Sequence, residues 1–376
     1  MRFLHTSDWQ IGMPARFLEP DAAARFREAR LDAVRQLLRL AKSHGCDFVL
    51  VCGDVFHANL LDQNTILAAA DAMSAGDVPL YLLPGNHDSL EPQNVLESAL
   101  FRQNVPSHVH VLAGQPIRIG EIAEIVPAPW HSKRPVEDLV AKALRDLPPP
   151  SGTIRIVAGH GRVDTLAPEA ANDPTCMRVA DLQALIEHGA AHFVALGDRH
   201  STTEMGKRIW YSGTPEATDF REVDSGNVLL VDVDAQSCKI ERLPVGQWRF
   251  VERDQPWNLL GPQDVEDLSR WTESLPNKQV TVLRLGIAGA LPMKDYRRVD
   301  DILRRCEAVF AGVERRESER LLVRVDEDDE LTNRLSGFAR ETLLELRAIV
   351  AEGSDASSTA SDAINLLYQF AGGEHL

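Results

Sequence analysis

The chain has 376 residues, of which 44% are hydrophobic and 6% aromatic, and its formal net charge is −16. This length and composition are typical of a globular protein with two or three domains. Because the net charge is strongly negative, the overall electrostatic field of the molecule does not attract nucleic acid or an anionic membrane. Because we find no signal-like segment, no run of ~20 apolar residues and no CxxC pair among five cysteines, we expect a cytoplasmic protein with reduced thiols.

Strand-like runs alternate with helix-like segments through the first half of the chain. Between the first two strand candidates, apolar residues recur at helical spacing from Leu31 to Ala41, and Gly45 follows as a helix stop. This alternation predicts a layered α/β domain. The strand candidates are RFLH, DFVLVCGD, PLYLLPGNHD, TIRIVAGH, HFVALGD, RIWYSG, NVLLVDVD and CKIERLPV.

The composition changes between residues 245 and 261, which predicts a boundary after a first domain of residues 1–245. Residues 262–326 are predicted to form a smaller α/β domain, with helices in DVEDLSRWTESL and YRRVDDILRRCEAV and strands in KQVTVLRLGIAG and RLLVRV. Residues 327–376 predict amphipathic helices. These helices either pack on the small domain or form a docking surface for a partner helix, and the pattern leaves both open.

Five predicted strand ends carry short polar clusters. Taken singly, each cluster is a common turn former, helix cap or hydrogen-bonded histidine. Taken together, carboxylates, amides and imidazoles at the carboxyl ends of strands predict a dinuclear metal site, and the glycines before several of them permit sharp turns. The clusters are Asp8 and Gln10 in SDWQ, Asp54 and His57 in CGDVFH, Asn86, His87 and Asp88 in PGNHD, His160 in AGHG, and Asp198 and His200 in LGDRH.

The order and spacing of these clusters resemble the calcineurin-like metallophosphoesterase superfamily over roughly residues 1–235. GNHD together with GDVFH is similar to the nuclease branch, and TSDWQIG and YSGTPEATDF resemble segments of SbcD-like nucleases of double-strand-break repair. The resemblance implies an α/β sandwich of two mixed β-sheets flanked by helices, a smaller α/β capping domain and C-terminal helices. It also implies an enzyme that hydrolyses DNA phosphodiester bonds as an exonuclease or endonuclease.

By position, the resemblance implies two divalent cations that share Asp54 as a bridging ligand. His87 would protonate or stabilise the leaving oxygen, and His57 lies near the site in relatives. We expect Mn²⁺, with Mg²⁺ or Fe²⁺ as alternatives, to clamp the phosphate and lower the pKa of an attacking water. The implied metal ligands are Asp8, Gln10, Asp54, Asn86, His160, Asp198 and His200.

Two of these ligand positions depart from the family pattern. Gln10 stands where relatives carry the His of DxH, and Asp198 stands at the first His of GHxH. Three interpretations follow: an active site retuned toward hard oxygen ligands, a weak or empty second site because Asp is shorter than His, or an inactive scaffold. Retention of Asp54 and His87 favours the retuned active site.

DNA is implied as a substrate by the resemblance and not by charge. Arginines 25, 27, 30, 35 and 39 lie on one predicted helix, but interleaved acidic residues make an ion-paired solvent face the simpler interpretation. The alternative functions are a phosphodiesterase or phosphatase acting on nucleotides or other small phosphoesters, and a catalytically weakened subunit.

The resemblance also implies a partner, an SbcC-like coiled-coil ATPase that binds the C-terminal helices, and it allows for a homodimer. Helical spacing places a set of apolar residues on one face of the first of these helices, which we term the predicted docking face. Its members are Leu331, Leu335, Phe338, Leu346 and Ile349.

Overall fold

The computed structural model describes residues 1–170, 172–316, 321–324 and 335–352, together with 356, 357, 359, 360, 363, 364, 366 and 367. The chain divides into two compact units, Met1–Arg249 and Phe250–Leu376. The division lies inside the segment 245–261, where the composition changes. The functions assigned to the domains stay predictions.

In its described residues the first unit forms two six-stranded sheets. Its strands are β1 (Arg2–Thr6), β2 (Phe48–Cys52), β3 (Leu80–Leu83), β4 (Val109–Val111), β5 (Ile117–Ile119), β6 (Ala123–Pro127), β7 (Ile154–His160), β8 (Phe193–Gly197), β9 (Thr203–Gly206), β10 (Ile209–Tyr211), β11 (Asn227–Val233) and β12 (Cys238–Pro244). Its α-helices are α1 (Pro20–Ser43), α2 (Gln63–Met73), α3 (Ala99–Asn104), α4 (Leu139–Leu144) and α5 (Val179–Glu187).

The strand order is β12-β11-β1-β2-β3-β4 in one sheet and β5-β6-β7-β8-β10-β9 in the other. Strands β1 to β4 pair in parallel, as do β6, β7 and β8, whereas β11 pairs antiparallel to β1. The inner faces of the two sheets share a core in which Phe3 stacks on Phe48 at 4.8 Å between ring centroids and meets Phe193 edge-on. This sandwich of two mixed sheets with flanking helices confirms the predicted fold class.

Helix α1 begins at Pro20, whose fixed φ and missing N–H suit the first helical position. Its buried face includes Arg30, which is 2% exposed, donates to the backbone carbonyls of Trp9 and Ala217, and lies over the ring of Phe26. The prediction that Arg30 shares a solvent face with the other arginines of this helix is therefore wrong, because its charge is satisfied by carbonyl oxygens inside the protein.

Arg35, on the same helix, forms ion pairs with Glu28, Asp32 and Asp71. These three carboxylates occupy its guanidinium, which is the pattern of a solvated ion-paired surface. The described contacts of Arg35 therefore favour, for this residue, an ion-paired solvent face over a nucleic-acid-binding face.

The second unit contains two three-stranded sheets in its described residues. Its elements are β13 (Arg249–Glu252), β14 (Trp257–Leu259), α6 (Pro262–Ser274), β15 (Thr281–Leu285), β16 (Ile287–Pro292), α7 (Met293–Val309), β17 (Gly312–Arg315), β18 (Leu321–Arg324) and α8 (Phe338–Ala351). The sheets are ordered β13-β15-β17 and β14-β16-β18, and α6 and α7 pack on a core that includes Leu268, Leu283 and Ile302.

The predicted single strand KQVTVLRLGIAG is wrong in one respect. It divides at Gly286 into β15 and β16, which belong to different sheets.

The predicted docking face lies partly on α8. Leu335 and Leu346 pack against a small cluster formed by Met293, Leu343 and Ile364, whereas the side chain of Phe338 is exposed. Leu331 and most of the last predicted helix lie outside the described residues. Within the described ranges, no helix combines the length and the apolar character needed to cross a membrane.

Candidate metal centre

The carboxyl ends of the parallel strands bring the predicted ligands together. The registers pair Cys52 with Leu83 and His160 with Gly197, so the residues that follow these strands leave the sheets at the same level. Asp8, Asp54 and His160 each offer an atom that lies within 4.8 Å of the others. All three residues are buried, and carboxylate and imidazole are the donors that divalent transition metals accept.

Glycines permit this convergence by their lack of a side chain. A Cβ at Gly53, whose φ is +90°, would lie 2.0 Å from His160 Nδ1, and a Cβ at Gly85 would lie 2.2 Å from Asp54 Oδ1. At Gly197 the obstacle would be the carbonyl oxygen of Cys52 at 1.8 Å. The glycines that precede Asp54, Asn86 and Asp198 are therefore required by close approach, and at Gly53 by the turn as well.

Four of the predicted ligands have a left-handed backbone. The φ angles are +53° at Asp8, +50° at Gln10, +55° at Asp54 and +95° at Asp198. L-residues adopt such angles at a cost of order 1–3 kcal/mol, and this kind of strain concentrates at functional sites. The left-handed backbone at these four positions therefore marks them as candidate functional residues.

His160 is fully enclosed by the cluster. Its Nδ1 lies 2.8 Å from the carbonyl oxygen of Cys52, to which it donates, and its Nε2 lies 2.8 Å from Asn86 Oδ1, 3.4 Å from Asp54 Oδ1 and 3.8 Å from Asp198 Oδ1. Burial disfavours the charged imidazolium, but the surrounding carboxylates outweigh it and raise the pKa of His160 to about 9. Because Nδ1 donates to Cys52, Nε2 is the ring nitrogen that faces the carboxylates and would hold a cation.

His200 approaches the cluster from the other side. Its Nδ1 lies 2.9 Å from Glu222 Oε1 and 2.8 Å from Thr218 Oγ1, while its Nε2 lies 4.0 Å from Asp8 Oδ1. Burial opposes the charged ring, but the hydrogen bond to Glu222 and the charge of Asp8 raise the pKa of His200. A carboxylate behind a metal-binding histidine fixes which ring nitrogen is free, and here it is Nε2.

Asp8 is completely buried and held from several directions. Its carboxylate accepts from Ser7 Oγ at 2.6 Å and from the backbone N–H of Asp198 at 3.1 Å. Burial raises the pKa of Asp8 to about 6, although the nearby imidazoles of His200 and His160 act in the opposite direction. Positive charge in the cluster therefore favours the anionic form of Asp8.

Gln10 joins the buried carboxylate of Asp54 to the histidines at the open side of the site. Its Nε2 donates to Asp54 Oδ2 at 2.9 Å, and its Oε1 lies 2.8 Å from His57 Nδ1. The carbonyl oxygen of His57 in turn accepts from His87 Nδ1 at 2.6 Å. The backbone N–H of His87 donates to Asp54 Oδ1 at 3.0 Å, so one connected network fixes the positions of both histidines.

Asp88 links two of the loops that carry these residues. It is completely buried, and its carboxylate accepts from the backbone N–H groups of Gly85 at 2.7 Å and Phe56 at 3.1 Å. The sequence pattern placed Asp88 in the cluster without a role, and it missed Glu222 altogether. No sequence motif identifies Glu222 as a site residue, because its partner His200 lies 22 positions earlier in the chain.

The donor set fits divalent cations. Among the described residues, the ion pairs of Asp8 and Asp54 are with the imidazoles of His87, His160 and His200, and neither carboxylate pairs with a lysine or arginine. Buried carboxylates without a permanent cation are costly, whereas a bound metal neutralises them and releases protons from the imidazoles. All nine predicted site residues lie in this cluster or border it.

Residues 1–201 match the family model described as calcineurin-like phosphoesterase, which is more than half of the chain. The chain therefore belongs to the calcineurin-like phosphoesterase family, a family of metal-dependent phosphoester hydrolases. Its fold and its cluster of metal-binding side chains agree with this membership.

Two curated relatives from Bacillus subtilis (strain 168) are similar to the chain. One is the SbcD component of the nuclease SbcCD and is 23% identical over 269 residues, covering 62% of this chain and 66% of that protein. The other is named "Uncharacterized metallophosphoesterase YhaO" and is 24% identical over 251 residues, covering 62% of this chain and 57% of that protein. The chain thus spans less than two thirds of the length of these relatives.

Among solved structures, TT1561 of Thermus thermophilus aligns at 14% identity with a TM-score of 0.41. The alignment covers 64% of this chain and 98% of that one. A structural similarity at this level supports no conclusion about the function of this chain.

Proposed function

We propose that this chain is a metal-dependent phosphodiesterase, an SbcD-like DNA exonuclease or endonuclease of double-strand-break repair with a dinuclear site. The observation that carries the proposal is the convergence of Asp8, Asp54 and His160 within 4.8 Å, with the His87 imidazole at the solvent-open side. The similarity to the SbcD component of the nuclease SbcCD supports the choice of DNA.

Asp54 is the proposed bridge between two cations, for which we propose Mn²⁺, with Mg²⁺ or Fe²⁺ as alternatives. When bound, such cations neutralise charge on the phosphate and lower the pKa of an attacking water. The proposed ligands of the first cation are Asp8, Gln10, Asp54 and His200, and those of the second are Asp54, Asn86, His160 and Asp198.

His87 is the proposed acid for the leaving oxygen. Its Nδ1–H donates to the carbonyl oxygen of His57, and its Nε2, 3.9 Å from Asp54 Oδ2, is the nitrogen left to exchange a proton. An imidazole suits this task because its ordinary pKa lies near neutrality. His57 is the proposed support of His87, since its backbone oxygen fixes the ring.

Gln10 can serve as a ligand after a half-turn of its amide. At present its Nε2 faces Asp54, but the two ends of an amide have nearly the same shape. In the turned amide, Oε1 would face Asp54, where the first cation would be held, and Nε2 would donate to His57 Nδ1. Because Gln10 could supply an oxygen ligand in this way, we propose the retuned active site over the inactive scaffold.

Hydrolysis with defined variants tests the proposal. Wild-type protein with Mn²⁺ should hydrolyse bis(p-nitrophenyl) phosphate and linear DNA, and His87→Ala should lower kcat by about 10²–10⁴-fold because the proton donor is lost. His188→Ala, at an exposed position after α5, is the matched control. Equal inactivity of wild type and His87→Ala with Mn²⁺, Mg²⁺, Zn²⁺ and Fe²⁺ would support the weakened subunit instead.

Comparison of substrates separates the DNA nuclease from the small-molecule alternative. Linear DNA should be cleaved with a higher kcat/KM than cyclic nucleotides or nucleoside monophosphates. The reverse order would establish a nucleotide phosphodiesterase or phosphatase, and it would leave the metal site as proposed.

We also propose that an SbcC-like coiled-coil ATPase binds the exposed part of the predicted docking face, at Phe338, since Leu335 and Leu346 pack within the second unit. We propose too that two copies of the chain assemble in the complex. The exposed side chain of Phe338 supports this assignment. Phe338→Asp should abolish recovery of an ATPase in pull-downs from the native host, whereas Glu345→Gln, an exposed position on the same helix, should not. Undiminished recovery with Phe338→Asp would remove this face from the interface.

A further inference from the structure

A cavity of about 470 Å³ opens directly beside the metal centre. Asn86, His87 and Asp198 form its inner end, and Trp130, Lys133 and Arg162 are among the residues that line the rest. Its volume is in the range of pockets that hold one small organic group. Nothing in the ligand set or in the acid–base chemistry requires an aromatic ring with two cationic side chains at this place.

Trp130 is fixed in position by three hydrogen bonds. Its indole Nε1–H donates to the carbonyl oxygen of His160 at 2.7 Å, and its backbone N–H donates to the carbonyl oxygen of Pro84 at 3.1 Å. Its own carbonyl oxygen accepts from the N–H of Leu90 at 2.9 Å. The ring is therefore held between the ends of β3 and β7, and it remains partly accessible from the cavity.

The cationic side chains stand farther out. The backbone N–H of Lys133 donates to Glu91 Oε1 at 2.8 Å, which anchors this loop, and the Lys133 side chain is exposed. Arg162 pairs with Asp173 at 3.5 Å and keeps about half of its side chain in solvent. In a protein of net charge −16, two cations beside an aromatic ring form a local site for anions that also carry a flat group.

We propose that this cavity is a nucleoside subsite: it takes the unpaired nucleoside next to the scissile phosphate, stacks its base on Trp130, and places the following phosphate near Lys133 and Arg162. The inference rests on the proposed phosphodiesterase function and names its substrate class. Because base–aromatic stacking does not depend on the identity of the base, the subsite accepts every base. A paired base must leave its partner before it can enter, so the chain acts on frayed or single-stranded ends.

Two substrates with the same leaving group test the subsite. Thymidine 5′-(4-nitrophenyl phosphate) carries a nucleoside, and methyl 4-nitrophenyl phosphate does not. Trp130→Ala should lower the ratio of their kcat/KM values by about 5- to 100-fold, the range measured for loss of stacking. Trp130→Phe should restore most of the ratio, although it lacks the hydrogen bond to His160, which separates stacking from support of the metal centre.

Binding without metal provides a readout that does not depend on catalysis. Isothermal titration calorimetry in EDTA measures the binding of 5′-phosphorylated trithymidylate. Trp130→Ala should bind it about 5- to 100-fold more weakly than the wild type, because stacking is lost. The double variant Lys133→Ala with Arg162→Ala should show a weaker salt dependence of binding. Lys207→Ala, at an exposed position outside the cavity, is the control. Equal trithymidylate affinity in wild type and Trp130→Ala would overturn the subsite, whereas a wild type that binds trithymidylate but hydrolyses neither ester would overturn the proposed function alone.

Discussion

At the scale of single residues, Asp198 combines a strained backbone with a charged side chain. Asp198 has a φ of +95°, and its carboxylate lies 3.8 Å from His160 Nε2. The strained backbone opposes folding, whereas the carboxylate is suited to holding a cation. This combination predicts opposite effects of one substitution on stability and on metal binding.

We predict that Asp198→Gly stabilises the metal-free protein by about 1–2 kcal/mol, because glycine adopts positive φ without strain. Affinity for Mn²⁺ should fall at the same time. Urea unfolding in EDTA and calorimetric titration with Mn²⁺ measure the two effects. Gln93→Gly is the matched control, since Gln93 has a φ of +67° but lies outside the cluster and should gain stability without a change in metal affinity. A destabilised Asp198→Gly protein in EDTA would contradict the argument.

Glu222 is predicted to act through His200. Its replacement by Gln keeps a hydrogen-bond acceptor but removes the charge that raises the pKa of His200. We expect this pKa to fall and Mn²⁺ affinity to drop by about 10- to 100-fold, as is usual when the carboxylate behind a metal-binding histidine is lost. NMR titration of the imidazole and calorimetry measure these changes, with Glu187→Gln as an exposed control. Unaltered affinity would show that Glu222 does not orient the ring.

His5 in β1 makes stability depend on pH. Burial lowers its pKa to about 3 from an ordinary value near 6.5, so the unfolded chain binds the proton that the folded chain refuses. The free energy of unfolding should therefore rise with pH between about 3 and 6.5, and His5 should account for about 2–3 kcal/mol between pH 4.5 and 7. Urea unfolding of His5→Gln should lack this part of the slope, whereas the exposed control His110→Gln should keep it.

At the scale of elements, the sequence located the strands that carry the site. β1, β2, β3, β7 and β8 lie in apolar runs of sufficient length to be recognised. β4, β5 and β9 were missed because three or four residues at a sheet edge give no recognisable alternation. β6, an inner strand of five residues, was missed as well. β14 was missed because it lies in the segment 245–261, which was predicted to be a domain boundary, so its pairing with β16 could not be predicted either.

One glycine makes that last pairing possible. Gly289 lies opposite Leu259, has a φ of +124°, and would place a Cβ 2.1 Å from the Leu259 carbonyl oxygen. We predict that Gly289→Ala destabilises the second unit by about 2 kcal/mol or more, because backbone atoms must move apart. Hydrogen exchange of β14 and β16 would report the loss. Gly261→Ala, where no atom lies within 4 Å of the added Cβ, should leave exchange in these strands nearly as in the wild type.

At the scale of the whole molecule, the net charge of −16 limits how the proposed DNA substrate can be bound. Contact must depend on the metal centre and on a few local cations, since the overall field repels phosphates. We predict that the affinity for single-stranded DNA in EDTA decreases with salt with a log–log slope of about 2 to 3, which corresponds to three or four phosphate contacts. Fluorescence anisotropy across a salt series measures the slope. A slope near zero would exclude backbone contacts, and a slope near ten would require an extended basic groove.

The sequence by itself determined the family, the fold class and the chemical types gathered at the strand ends, because apolar runs and the polar turns after them are local patterns. Only the tertiary structure decided which side chains support the site. Glu222 behind His200, Trp130 between the ends of β3 and β7, and the inward turn of Arg30 all depend on contacts between distant segments. Such contacts arise from the packing and register of two sheets, which no short stretch of sequence encodes.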